Sequence, residues 1–398
     1  MATESGKDAQ RLVTAGVVQD LITLLRRRAM DYGGLEIVLV TLGTLACVPF
    51  SLLDWVFAKS PHVLNYRHDS VSANMIFRVG AIQTLMEFVG SSPSDDVTAG
   101  AVWCISRICR SKEVADELIK RNLVQLLIEK GLLHGTHLFS RLSALCLGAL
   151  VRSDAQADVM ATRGLIQISV EHFIVKASSP NVISEDICAA TFLIARLARS
   201  IKHSKALAKA GCVKPLVYAL TTSEDPDVLN WSARAIGCLM RPNSLDMANA
   251  LLDAGSATGL ARLPRVLPVD QIEPLGSFAF SIQRFVCAEW GGGTRKALVD
   301  AGVVDSLLSA LRTAADVPAP NVHIELARAI TFLCDIGGGD VRKEIVRAGG
   351  VDILKQFAEA TRPEVAKVCN VAITSLTGNM WSRNVGERST SMGYSEFS

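Results

Sequence analysis

The chain has 398 residues, 49% of them hydrophobic, and its 41 basic residues nearly balance 39 acidic ones for a net charge of +2. That apolar content is too high for a disordered chain and enough for a continuous buried seam. The charge balance argues against a general nucleic-acid binder, whose contact face is strongly basic, and leaves room only for a local basic stripe.

Met1–Gln10 is polar and carries Glu4, Lys7 and Asp8, so it does not read as a secretory signal. From Ala15 the chain runs AGVVQDLITLL, a small residue and Gly16 followed by apolar residues at helical spacing. Leu35–Phe57 is long enough to span a bilayer, but Glu36, Pro49 and Asp54 interrupt it, and its first half fits a core helix. The opening phrase then returns as VGAIQTLMEFV from Val79, AGCVKPLVYAL from Ala210, AGVVDSLLSAL from Ala301 and AGGVDILKQFA from Ala348. Weaker copies are RNLVQLLIEKG from Arg121, RGLIQISVEHF from Arg163 and AGSATGLARLP from Ala254. The anchors are Gly16, Gly80, Asn122, Gly164, Gly211, Gly255, Gly302 and Gly349, with gaps of 64, 42, 42, 47, 44, 47 and 47 residues. Such a period predicts a helical repeat array, which grows by stacking units and not by adding globular domains.

The first gap is oversized and leaves an insertion at about residues 49–69. It carries Trp55, Phe57, Tyr66, His62 and His68 in a chain that is only 6% aromatic. Either a local helix tucked against the first repeat or a recognition loop fits that composition. Ser382–Ser398 has almost no aliphatic residues and is expected to be a disordered tail, leaving residues 1–381 for the solenoid.

Lys112–Ser153 serves as a specimen unit. KEVADELIKRN predicts a short amphipathic helix ending at Asn122, where other units place glycine. A left-handed residue at a helix end is best supplied by Gly, then Asn. LVQLLIEKG predicts a second helix, and THLFSRLSALCLGALV a third that is apolar nearly all round, as a sandwiched helix must be.

These phrases, with the third helices AVWCISRIC from Ala101, TFLIARLA from Thr191, SARAIGCLM from Ser232 and ARAITFLC from Ala327, resemble the armadillo repeat family over residues 8 to about 377. The resemblance implies an all-α, armadillo-type right-handed superhelix of about eight three-helix repeats. It also implies that the third helix lines a concave groove that binds protein segments. Import receptors of the family carry Trp and, four residues later, Asn on that helix. The corresponding pairs here are Trp103/Arg107, Leu145/Ala149, Phe192/Arg196, Arg234/Cys238, Phe280/Arg284 and Arg328/Phe332. No Trp–Asn pair occurs, which puts recognition of basic localisation signals in doubt.

Catalytic, cofactor-binding and metal-binding residues are not expected. Trp290–Lys296 and Ile336–Lys343 contain three glycines each but lack P-loop spacing, and their equivalent places in the repeat make them turns. His134 and His137 lack a third or fourth ligand nearby in sequence. Asp95-Asp96 and Glu224-Asp225 fit helix caps. The ten cysteines, about one per repeat and with no CxxC, read as buried core residues of a reducing cytoplasm, with the nucleus also open.

The expected function is therefore a non-enzymatic scaffold or adaptor for protein partners. Trp103, Arg107, Phe192, Arg196, Phe280 and Arg284 are the expected groove residues. Arg107, Arg196 and Arg284 fall 89 and 88 residues apart, two repeats each time, and such a row would suit an extended acidic or phosphorylated segment. The alternatives are that these arginines pair with acids of neighbouring repeats, and that the chain regulates a small GTPase or similar switch protein. No nucleic acid and no membrane span are expected. Partner identity, oligomeric state and whether the chain is a piece of something larger stay open at this level.

Overall fold

A computed structural model describes residues 11–28, 30–46, 70–91, 94–109, 111–178, 183–241, 243–288, 292–335, 338–359 and 362–378. The aromatic insertion at 49–69 and the tail from 382 lie outside these residues. Among the described residues every regular element is a helix.

The helices fall into triplets, numbered here in chain order. The first repeat contributes α1 (Val17–Arg27) and α2 (Tyr32–Leu45), and the second α3 (Ser70–Arg78), α4 (Ala81–Ser91) and α5 (Asp95–Ile108). The third has α6 (Lys112–Lys120), α7 (Leu123–Leu126) and α8 (His137–Leu150); the fourth has α9 (Asp154–Thr162), α10 (Leu165–Ala177) and α11 (Ser184–Leu197). Then come α12 (Ile201–Lys209), α13 (Val213–Thr222) and α14 (Pro226–Leu239), followed by α15 (Leu245–Asp253), α16 (Ser256–Val266) and α17 (Glu273–Ala288). The last two triplets are α18 (Gly293–Asp300), α19 (Val303–Ala314) and α20 (Pro320–Asp335), then α21 (Gly339–Arg347), α22 (Gly350–Glu359) and α23 (Pro363–Thr377).

The chain divides into two compact units at Leu197–Ala198. In the first unit the third helices α2, α5, α8 and α11 pack side by side in that order. In the second unit α14, α17, α20 and α23 do the same, and the second helices α13, α16, α19 and α22 form a parallel layer. The core of each unit lies between these layers. It is filled by residues such as Leu39, Ile105, Leu147 and Leu193 in one unit and Leu229, Phe278, Phe285 and Ile330 in the other, all fully buried.

The repeat phrase has a backbone cause. All seven anchor glycines sit at positive φ, between 78° and 100°, and Asn122 adopts φ 65° in the same place. The left-handed residue ends the first helix and turns the chain into the second, and asparagine is the side chain that tolerates it best. First helices open on serine caps: Ser153, Ser200 and Ser244 each accept a backbone N–H three residues on, and Gln156 completes a capping box with Ser153. Asp225 does the same for α14, accepting from the N–H groups of Asp227 and Val228, while Asp95 and Asp96 occupy the first turn of α5 behind the Ser94 cap.

Three expectations are refined. The second helix of the third repeat is α-helical only to Leu126 and continues as a π-helical stretch, Leu127–Leu133. Gly131 within it lies against α8, where a Cβ would come within 2.0 Å of Ser143 Oγ. The glycine runs start helices: Gly292 caps α18 and Gly338 caps α21. Leu35–Leu45 is part of α2, and no described helix is long and apolar enough to cross a membrane.

Gly211 isolates the backbone effect, because a Cβ there would meet no atom within 4 Å although φ is +100°. Gly211→Ala should therefore lower stability by about 1 kcal/mol through the left-handed conformation alone. Thermal melting of the two proteins by circular dichroism checks this, and an unchanged midpoint would contradict it.

Candidate functional site

The expected groove residues prove to be the joints between third helices. Trp103 of α5 packs on Gly43 of α2, Phe192 of α11 on Gly148 of α8, and Phe280 of α17 on Gly237 of α14. The fit is close: a Cβ added at these glycines would stand 2.4, 2.5 and 2.6 Å from the ring atoms. The three rings are 1%, 8% and 8% exposed, so they belong to the core.

The arginine one turn later completes each joint. Arg196 donates to the carbonyls of Gly148 (3.3 Å) and Val151 (2.6 Å) at the end of α8. Arg284 donates to the Met240 carbonyl at 3.3 Å, at the end of α14. Arg107 lies over the Trp103 ring at 5.1 Å and is 2% exposed. Carbonyls of a helix's last turn lack intrahelical donors and carry the negative end of its dipole, which makes them natural acceptors for a cation. Arg107 and Arg284 are thus buried, and Arg196 is half-buried against the preceding helix.

The side chains left partly open on the third helices belong to the alternate repeats. Leu138, Arg141, Leu145 and Ala149 form one stripe on α8; Asp227, Trp231 and Arg234 form one on α14; Glu325, Arg328 and Phe332 form one on α20. The helical spacing places each set on one face. Sequence comparison aligned several of these positions but ranked them below the aromatic–arginine pairs. The signal that separates the classes is the glycine or small residue one turn from the end of the preceding third helix, which marks where the next aromatic will be buried.

Asp186, at the start of α11, is 2% exposed and gathers two cations and a histidine. Arg141 Nε donates to it at 2.7 Å, Lys176 Nζ lies at 3.3 Å and His137 Nδ1 at 3.2 Å. Burial alone would raise its pKa, but the Arg141 hydrogen bond and charge, with His137 and Lys176, outweigh that and hold it below the usual carboxylate range. Next to this cluster, burial and the Lys176 charge lower His172 to about 4.

No group of three His, Cys, Asp or Glu among the described residues could hold a metal ion. A cavity of about 180 Å³ beside His323 and Phe357 is smaller than the usual ligand pocket. The His323 ring is stacked on Phe357 and bonded to the Ala314 carbonyl. Nine described cysteines are free thiols, eight of them buried, and burial pushes Cys212 up to about 12, away from nucleophilic reactivity.

Solved structures share the fold. A crystallised engineered protein superposes with a TM-score of 0.57 at 20% identity, covering 93% of this chain and 91% of that one. The designed armadillo repeat protein YIII(Dq)4CqI superposes with a TM-score of 0.51 at 18% identity, over 63% of this chain and 98% of that one. The chain has an armadillo-type fold. A second designed armadillo repeat protein, YIII(Dq.V1)4CPAF in complex with the peptide (KR)4, matches with a TM-score of 0.50 at 18% identity, again over 63% of this chain and 98% of that one. No family model and no curated protein matches the chain.

Two outcomes follow from the armadillo joints and the buried cluster. Gly148→Ala and Gly237→Ala should each destabilise by about 1–3 kcal/mol, because a methyl group cannot enter without moving Phe192 or Phe280. Gly90→Ala, where a Cβ meets nothing within 4 Å, is the matched control for the melting comparison. Acid should also weaken the fold. His172 is neutral in the folded state down to about pH 4 but protonates near 6.5 when unfolded, so its contribution is complete above pH 6.5 and is lost as pH falls towards 4. Asp186 acts in the same direction below the ordinary carboxylate range. Between pH 7.5 and 5 the histidine accounts for up to about 2 kcal/mol. His172→Leu should flatten that part of the melting-versus-pH curve, and an unaltered slope would show that the histidine is not responsible.

Proposed function

We propose that the chain is a non-enzymatic scaffold or adaptor that binds an extended segment of a partner protein along its third-helix face. The observation that carries this reading is the alternation just described. Every second third helix keeps a stripe of partly open side chains at helical spacing, while its neighbours are locked below by aromatic–glycine joints. Within a unit, regularly spaced helices offering one open stripe per two repeats suit an extended ligand contacting several repeats at once. On this reading Trp103, Arg107, Phe192, Arg196, Phe280 and Arg284 form the frame of the site, and each unit meets a ligand by its own open stripes, α8 in the first unit and α14 with α20 in the second.

The fold supports the same conclusion by analogy, since one designed protein of this architecture holds a basic (KR)4 peptide. This chain departs from that polarity. Its open stripes carry Arg234 and Arg328, so a basic peptide would meet like charge there.

An unbiased peptide-display selection tests the proposal, followed by hydrogen exchange on the complex. Selected peptides should slow exchange in α8 of the first unit, or in α14 and α20 of the second. Protection confined to the first and second helices, or a selection that returns no binder, would refute it.

A further inference from the structure

The second unit contains a basic notch that the joint at Phe280 does not use up. Arg234 and Arg241, two turns apart in sequence, bring their guanidiniums to 4.5 and 5.2 Å from the centre of the same ring, that of Phe280. Arg284, the joint arginine, lies one turn further along α17. Two positive charges therefore gather over one ring.

The two outer arginines are in an unusual electrostatic state. Both are half-buried. Neither makes a hydrogen bond or an ion pair through its side chain to a described residue; each lies over the Phe280 ring. An arginine carries five N–H donors, and removing part of its water without supplying acceptors is costly. Stacking on a ring face contributes a modest attraction and leaves the in-plane donors pointing away from the ring. Two like charges crowding one aromatic also repel each other, and a bound anion relieves both costs at once.

We infer that Arg234 and Arg241, over Phe280, form an acceptor site for the carboxylate of an acidic, extended protein segment. Each guanidinium fork matches a carboxylate in bidentate geometry, and the buried ring holds the two forks side by side. A nucleic-acid strand fits the surroundings poorly. Glu273 and Glu325 stand on the neighbouring third helices, Glu273 exposed and Glu325 accepting from Gln283 at 2.8 Å, so the basic charge does not extend as a stripe along a phosphate backbone. The inference rests on the scaffold reading, and it names the ligand class and the residues that select it.

Fluorescence anisotropy with labelled peptides (Glu-Ser)6, (Lys-Ser)6 and (pSer-Gly)6 tests it on the full chain. The glutamate peptide should bind saturably, weaken as salt rises, and lose roughly tenfold or more in affinity to Arg234→Gln/Arg241→Gln. These substitutions keep a side-chain stem over the ring, and melting curves confirm that the variant folds. Arg27→Gln, an exposed arginine of α1, should leave binding unchanged. The inference is overturned if the glutamate peptide does not bind, if it binds the double variant equally, or if only the phosphoserine or lysine peptide is held. Should display-selected peptides bind wild type and double variant alike while (Glu-Ser)6 fails, the notch assignment falls and the scaffold stands. If no peptide of either kind binds, both fall.

Discussion

The stacking of these repeats depends on a missing side chain. Two third helices can approach closely only where one of them presents no Cβ, and Gly43, Gly148 and Gly237 create that opening for Trp103, Phe192 and Phe280. Once the ring is seated, the arginine one turn later is carried to the end of the preceding helix, where carbonyls await a donor. Packing and hydrogen bonding are therefore one device: the ring fixes the distance between helices, and the guanidinium satisfies the helix end that this distance exposes.

This device joins repeats in pairs, first to second, third to fourth and fifth to sixth. Its result is an unequal treatment of successive third helices. Those of the second, fourth and sixth repeats sink their aromatic and arginine into the joint, whereas those of the third, fifth and seventh keep an outward stripe. The charge on these helices is also ordered along their length. Acids such as Asp95, Glu185 and Glu273 stand in first turns, and Arg107 and Arg196 in last turns, as helix dipoles favour.

The period of the array was legible because it arises from backbone geometry. A positive φ admits few residue types, so glycine recurs at every anchor, and the one asparagine, Asn122, keeps the conformation. The three-helix unit was legible for a related reason, since caps and apolar spacing act within a few residues of chain. The groove was legible only in part. The 88- and 89-residue spacing of Arg107, Arg196 and Arg284 suggested an open row, while their exposure depends on carbonyls that another repeat presents. Arg234, which the alignment placed at the aromatic's own position, turned out to stand over Phe280 of the next repeat.

The sequence by itself determined the fold class, the repeat length, the turn at each anchor and the two-repeat rhythm of aromatic and arginine. All of these follow from local rules: which residues tolerate a left-handed backbone, which cap a helix, and which recur at 3.6-residue spacing. The tertiary structure decided which arginines are consumed in joints, which remain open over a ring, and that Asp186 gathers cations from two other helices. Those outcomes depend on atoms some 40 to 50 residues distant in the chain, brought within 3 Å by stacking, and no local pattern records which partner will arrive.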